Sequence, residues 1–265
     1  MNDSVKPASA LSSFSFEPIA FVESPYKEKF GTPRQPGLVE ESRGAIVLRD
    51  GINPDALDGL SEYSHAWAIF VFHENQAVRE GRRSVKTKVH PPRLEGKAVG
   101  VFSTRSPHRP NAIGLSLLRI ERIEGRRLLV GGLDLIDGTP ILDIKPYLPT
   151  IEALPEAHEG WSADLASKSV DVQWSEKALM DLHGSDPAKA AIEKILELDI
   201  RPVAYRGSHE NPDPYTDVYG FRYEDWNVVF RMLPPEDSGG GARVKKAVIE
   251  RLEPWNRPTA TKNRS

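Results

Sequence analysis

The chain has 265 residues, 39% of them hydrophobic and 28% charged, with a formal net charge of −3. These proportions exclude a fibrous or wholly disordered chain, and at roughly 150 residues per domain they leave room for one large domain or two smaller ones. Cysteine is absent, which removes disulfides, thiolate catalysis and cysteine metal sites at once and suits a reducing compartment. The longest unbroken apolar run, Ala66 to Phe72, is far shorter than the ~20 residues that span a bilayer. The N-terminus lacks a basic region followed by a long apolar stretch. A cytoplasmic protein with no membrane partner is expected.

In chain order, residues 1–13 are rich in Ser and Ala and read as a loose tail. Short β-type runs follow, separated by Gly, Pro and Asp: Phe16–Val22, Gly44–Leu48, Ser64–Phe72, Ala98–Ser103, Ile113–Ile123, Arg127–Leu135 and Ile141–Ile144. Many short strands with turn signals between them suggest a barrel, a sandwich or another closed sheet. Helical periodicity is missing between these runs, so a doubly wound nucleotide-binding domain is not expected.

After Pro149 the composition changes. Pro155 to Ala166 reads as a linker. Ser175 caps a helix over Glu176–Leu182, and Asp186 as N-cap with Pro187 in the first turn starts a second over Ala188–Leu198. Ala191, Ile192, Ile195, Leu196 and Leu198 give the second helix its apolar stripe. Strands are predicted at Val203–Arg206, Val218–Tyr223, Asn227–Met232 and Val244–Leu252, with a turn at Gly239–Gly241 before the last. The fold class is therefore mainly β, with an N-terminal β domain over residues 14–155 (a closed sheet, a barrel or a sandwich), a smaller C-terminal α+β domain over 167–255 and a second tail over 256–265.

Charge is uneven. Arg79 to Arg127 holds 13 Lys/Arg against 4 Asp/Glu, a local +9, so the remainder carries −12. Such a stretch suits a polyanionic partner, and equally a solvated face balanced by acidic neighbours.

Three segments are too rich in Pro, Gly, Arg and Asp for plain strand connections: Ser24–Leu38, Gly100–Ser116 and Leu133–Pro149. Each lies near a strand end, where a rigid scaffold positions binding groups. Taken singly, each has an ordinary structural explanation: Arg105 and Arg109 as surface ion pairs, Asp137-Gly138 as a turn, and Asp143 and Lys145 as the wet face of a strand. The 7 His show no pairing suited to a metal, and His65 and His73, eight residues apart in one strand, are too distant to share an ion. No metal is expected.

GVFSTRSPHRPNAIGLS and LDLIDGTPILDIKPYLP, with SPYKEKFGTPRQPGL and HAWAIFVFHEN, resemble the TsaA-like (TrmO) family densely over residues 14–150 and more thinly through VYGFRYEDWNVVFR. The resemblance implies a non-Rossmann β-barrel, usually a homodimer, that uses S-adenosyl-L-methionine to methylate N6 of threonylcarbamoyladenosine at position 37 of the tRNA anticodon loop. By the same likeness a smaller C-terminal domain helps hold the tRNA. It carries over Gln35, Pro36, Gly37, His73, Glu74, Arg105, Leu115, Leu133, Asp134, Leu135 and Ile136 as cofactor-binding residues. Ala112, Ser103 and His90 depart from the family's usual Pro, Ala and Arg.

The chemistry of that reaction asks for in-line geometry and for somewhere to put the one proton on N6. Asp137, Asp143 and Lys145 are the candidates for that proton, and Tyr147 shares their segment. Tyr26, Tyr147 and His108 are available for stacking on a splayed base, and Arg206, Tyr219, Arg222, Trp226 and Arg231 for tRNA contacts. By this reading a chain ending near Pro155 keeps every cofactor segment. The alternatives are a non-catalytic RNA-binding barrel, which needs no cofactor loops, and a small-molecule methyltransferase, which needs no basic stretch.

Overall fold

The computed structural model describes residues 14–81, 86–91, 94, 97–163, 170–199, 218–234 and 245–255. The N-terminal unit is built from β1 (Ala20–Glu23), β2 (Arg43–Leu48), β3 (His65–Val71), the one-turn helix α1 (Gln76–Arg79), the short β4 (Lys88–Val89) and β5 (Val99–Gly100), then β6 (Ile113–Glu124), β7 (Arg127–Gly131), β8 (Pro140–Pro146) and α2 (Pro149–Glu152). Six of these strands close an antiparallel barrel in the order β1-β2-β7-β6-β3-β8, while β4 and β5 pair only with each other. Closure removes every free edge, which is how this set of short strands avoids edge-to-edge association.

Alternation along the strands fills the barrel. Ala66, Ala68 and Phe70 of β3 and Leu118 of β6 point inward, with Ile46, Leu128, Val130 and Ile141 from the other strands. Gly114 is required where it stands: a Cβ there would lie 2.1 Å from the Phe70 ring.

The C-terminal unit comprises β9 (Val170–Trp174), α3 (Glu176–Asp181), α4 (Asp186–Glu197), β10 (Val218–Tyr223), β11 (Trp226–Leu233) and β12 (Lys245–Pro254). The sheet order is β10-β11-β12-β9, with β9 parallel to β12. Ala188, Ala191, Ile192, Ile195 and Leu196 of α4 pack into its core with Phe221, Phe230 and Ile249. That core also takes Tyr26 and Val39, with Phe30 against it, from the segment that follows β1. Tyr26 and Tyr223 form a lone antiparallel bridge, their rings edge to face at 5.7 Å, and Glu224 N–H donates to the Pro25 carbonyl at 2.8 Å. A barrel loop is thus a structural part of the second unit.

Several expectations are corrected. The first strand begins at Ala20, not Phe16, because Phe14 and Phe16 are exposed. The run through Leu135 ends as a strand at Gly131, since Gly132 takes φ +68° and turns the chain. Ala98–Ser103 shrinks to Val99–Gly100 followed by one 3-10 turn, closed by the Ser103 hydroxyl on the Gly100 carbonyl at 2.7 Å. Ser185, not Asp186, is the N-cap residue of α4, with Asp186 and Pro187 inside the first turn. Strand β9 has no counterpart in the sequence reading. The expected strand at Val203–Arg206 and turn at Gly239–Gly241 lie outside the described residues.

Candidate active site

At the end of the barrel where β3 finishes and β6 and β8 begin, a cleft of about 660 Å³ opens. Four segments wall it: Thr32 to Gln35 after β1, Phe70 to Asn75 at the end of β3, Thr104 to Arg109 before β6, and Asp134 to Ile136 between β7 and β8. Each is held by backbone-directed bonds. Gly37 N–H donates to the Gly132 carbonyl at 2.9 Å. Both glycines have positive φ, and a Cβ on Gly132 would sit 3.3 Å from the Gly37 Cα. Only glycine allows these two turns to meet, and their meeting brings Gln35 beside the Asp134–Ile136 connection.

Across the cleft, Arg105 Nη1 donates to Gln35 Oε1 at 2.8 Å, joining the first and third segments. Asn75 caps α1 by accepting from Ala77 N–H at 3.1 Å and donates from Nδ2 to the Pro107 carbonyl at 2.6 Å, joining the second and third. Lys29 reaches the Glu74 carbonyl. The arginine-rich loop stiffens itself: the Thr104 hydroxyl accepts from Ser106 N–H, and Arg109 Nη1 donates to the Thr104 carbonyl at 2.7 Å while lying over the Phe102 ring.

The cleft mixes charge with apolar surface. Arg105, Arg109, Lys29 and Arg34 supply cations, and Glu74 and Asp134 supply carboxylates. Burial lowers the His73 and His108 rings from their usual value, which favours their neutral forms. Burial pushes the Asp134 carboxyl up to about 7, against the opposing pull of a 2.7 Å hydrogen bond from the Ser116 hydroxyl and of the Arg105 charge.

Of the residues singled out from sequence, Gln35, His73, Glu74, Arg105, Leu115, Asp134, Leu135 and Ile136 line this cleft. Pro36 and Gly37 stand behind Gln35, and Leu133 is fully buried in the barrel core. Asp137 is engaged elsewhere: it accepts from Ser24 N–H at 2.9 Å and pairs with Lys27 at 3.2 Å, stitching the segment after β1 to the start of β8. Asp143 and Lys145 form an ion pair at 2.7 Å on the outer face of β8, where they stand opposite Ile69 and Trp67, and Tyr147 packs edge-on against His65 and Trp67. None of these three lines the cleft. The expected placing of Leu142 and Ile144 together as core is half corrected, because an irregularity in the β3–β8 register leaves Ile141 and Ile144 facing inward and Leu142 unpaired with β3.

Tyr26 and Tyr219 are not presented to a base: the first is buried against Tyr223 and the second is stacked on Phe230. Arg222 lies over the Trp255 ring at 4.5 Å, and Arg231 pairs with Glu250 at 3.0 Å. Arg206 lies outside the described residues.

The sequence reading missed Asn75, Ser116, Trp161 and Leu198, all in the cleft wall. Trp161 comes from the supposed linker, with Nε1 donating to the Ser103 carbonyl at 3.1 Å. Ser116 had a signal: it follows Gly114 at the inward period of β6, where a polar side chain needs a partner.

The arrangement fits a nucleoside carrying an amino acid. A guanidinium serves a carboxylate, carboxylates serve cationic groups, and Leu135 and Ile136 offer apolar surface with backbone groups at its edge. The volume is typical of a small-molecule cofactor site. A closed non-Rossmann barrel with such a cleft at one end defines a cofactor-binding barrel enzyme.

Residues 21–153 match the family of the tRNA-methyltransferase O N-terminal domain. The chain is 42% identical over 232 residues to an Escherichia coli K12 protein named tRNA (adenine(37)-N6)-methyltransferase, covering 84% of this chain and 94% of that one. It is 40% identical over 229 residues to a Pseudomonas aeruginosa protein provisionally named as an S-adenosylmethionine-dependent methyltransferase, with the same coverage of 84% and 94%. A crystal structure of TrmO from P. aeruginosa superposes with a TM-score of 0.69 at 33% identity, covering 92% of this chain and 98% of that one. The chain belongs to the tRNA-methyltransferase O family.

Proposed function

We propose that this protein is an S-adenosyl-L-methionine-dependent tRNA methyltransferase that acts on N6 of adenine at position 37, with threonylcarbamoyladenosine as the modified base it takes. The observation that carries the reading is the convergence of four separate segments on one mixed cleft, joined by the Arg105–Gln35 and Asn75–Pro107 hydrogen bonds. A barrel that only bound RNA would have no use for so deep a cleft of mixed polarity. When bound, S-adenosyl-L-methionine supplies an electrophilic methyl group on a sulfonium centre.

The chain's own residues do the rest. Arg105 is placed to hold the cofactor carboxylate, and Glu74 its ammonium. Leu135 and Ile136 bound the adenine with apolar side chains and backbone groups. His108 and Trp161 stand at the mouth as ring surfaces on which a splayed nucleotide can stack. Positioning supplies most of the acceleration in a displacement of this kind.

The tRNA meets cations around the same mouth, and the cytoplasm is where such a substrate is found. Ile113 and Leu115, 41% and 47% exposed, form an apolar outer face beside the cleft, and a second copy of the chain docked there completes a homodimer. Leu115 stands opposite Ile69 and Ile69 opposite Asp143, so the Asp143–Lys145 pair lies two strands from the cleft on that face.

The test is nucleoside mass spectrometry of tRNA incubated with protein and S-adenosyl-L-methionine. A mass gain of one methyl on threonylcarbamoyladenosine is expected. Methylation of unmodified adenine instead would remove the threonylcarbamoyl group from the substrate, and no nucleoside product would remove the function.

A further inference from the structure

Two carboxylates line the cleft, and they are differently placed. Glu74 is at the surface, 3.5 Å from Arg79 and 3.8 Å from His73. Asp134 lies in the connection between β7 and β8 at the cleft floor, where a neutral hydroxyl, Ser116 Oγ, donates to its Oδ1 at 2.7 Å. Ser116 is itself 1% exposed and cannot turn to water, so its hydroxyl is held on one oxygen of a carboxylate that also takes a hydrogen bond from its own backbone N–H. Asp137 and Asp143, the carboxylates expected for proton transfer from the sequence, are engaged by Ser24 with Lys27 and by Lys145.

We propose that Asp134, oriented by Ser116, accepts the proton that leaves N6 during methyl transfer. The inference rests on the proposed function and names its proton acceptor. The N6 nitrogen forms a bond to the methyl carbon while the carbon–sulfur bond breaks, its electron pair staying on sulfur as a neutral thioether. The N6 proton passes to the Asp134 carboxylate, which returns it to water after product leaves. The positive charge of the sulfonium and the negative charge of the carboxylate are both discharged in the step. A carboxyl pushed up to about 7 by burial is suited to this task, since its ionised form is a stronger base than an ordinary carboxylate. Besides burial, the groups that act on it are Ser116 from β6, its own backbone N–H and Arg105 from the segment before β6. His73 and His108 in the same cleft are lowered by burial and so titrate below the usual histidine range.

The sign of the pH dependence follows. The rate should rise as pH increases through about 7, the value at which Asp134 loses its proton. Because the Ser116 hydrogen bond favours the ionised form, Ser116→Ala should move this limb to higher pH, costing more rate at pH 6.5 than at pH 8.5. Single-turnover methylation of threonylcarbamoyladenosine-bearing tRNA by the full chain is measured across pH for wild type, Asp134→Asn and Ser116→Ala. Calorimetry with S-adenosylhomocysteine is run on each, with a carbon-13 carboxyl titration of wild type and Ser116→Ala. Asp134→Asn should lose about 10²-fold or more in rate while binding the cofactor product within about threefold of wild type. The carboxyl midpoint should lie higher in Ser116→Ala than in wild type. A wild type that binds cofactor and does not methylate this tRNA overturns the proposed function and this inference with it. An active wild type with Asp134→Asn equally fast overturns the inference alone. So does an Asp134→Asn variant whose cofactor affinity falls as far as its rate, which would make the carboxylate a cofactor ligand. An unmoved acidic limb and midpoint in Ser116→Ala would overturn the part given to Ser116.

Discussion

Arg105 shows how one side chain serves both the free and the loaded cleft. Its guanidinium donates to Gln35 across the opening, so the two segments that would grip the cofactor are already tied together. A ligand carboxylate would take the remaining donors of the fork at the cost of little reordering. Arg105→Ala should therefore weaken S-adenosyl-L-methionine binding by about 1.5 kcal/mol, near tenfold, which is the low end for a charge-assisted bond because the site is open to solvent. Calorimetry reads this directly, and unchanged affinity would detach Arg105 from the cofactor. Gly132 makes the complementary point for the backbone, since its left-handed turn and its contact with Gly37 leave no room for a Cβ.

At the scale of elements, the segment from Ser24 to Val39 decides how the two units depend on each other. Its far end, Gln35, walls the cleft, while Tyr26, Phe30 and Val39 are packed among Phe221, Tyr223 and Phe230. Leu198, at the end of α4, also reaches the cleft wall. The C-terminal unit therefore supports the cofactor site as well as any tRNA contact it makes. A chain ending near Pro155 strips the packing partners from Tyr26 and should lose cofactor affinity, contrary to the expectation from sequence that such a chain keeps the cofactor site whole. Tyr223→Ala tests the same coupling inside the full chain. It removes a ring that is 3% exposed and should cost about 3 kcal/mol or more of stability in that unit. Hydrogen exchange should show residues 24–39 opening with it while the barrel strands stay protected, and unchanged protection there would separate the units.

Across the whole molecule, the described arginines in the later part of the basic stretch are held within the barrel. Along β6 and β7, Arg119 pairs with Glu121 and Arg122 with Glu124, Arg127 holds Glu23 through both Nη atoms, and Arg126 donates to the carbonyls of Leu48 and Ile52. Arg122, Arg126 and Arg127 belong to the hairpin at the far end of the long strand, roughly 30 Å or more along β6 from Ile113 at about 3.3 Å per residue, and Arg119 lies about 20 Å along it. Among the described residues, Lys29, Arg34, Arg105 and Arg109 are the cations at the cleft, and on the proposed function it is there that RNA phosphates would be met. Affinity for tRNA should fall with salt at roughly −0.7 to −0.9 per phosphate contact on logarithmic axes. Arg109→Ala and Lys29→Ala should each flatten that slope, while Arg122→Ala should leave it as it was. Equal effects from Arg122 and Arg109 would mean that tRNA follows the whole barrel flank.

The sequence by itself determined the strand-rich character of the chain, the helix capped by Ser175 and the one that Pro187 starts, and most of the segments in which the cleft residues lie. These features are local, written in alternation, in turn residues and in motifs a few residues long. What only the tertiary structure decided was which of those polar residues share a space. Asp137, Asp143 and Lys145 sit in the same short run as Asp134, yet a turn at Gly138 and the irregular register of β8 on β3 send them to a loop clasp and an outer face. Ser116 lies 18 residues from Asp134 and meets it only because the barrel brings β6 beside the β7–β8 connection. Trp161 and Leu198 carried no motif, and β9 was invisible because it pairs in parallel with a strand some 75 residues away. Pairing across that separation is fixed by assembly of the C-terminal sheet and its shared core packing, which depend on distant partners and leave no mark at the position itself.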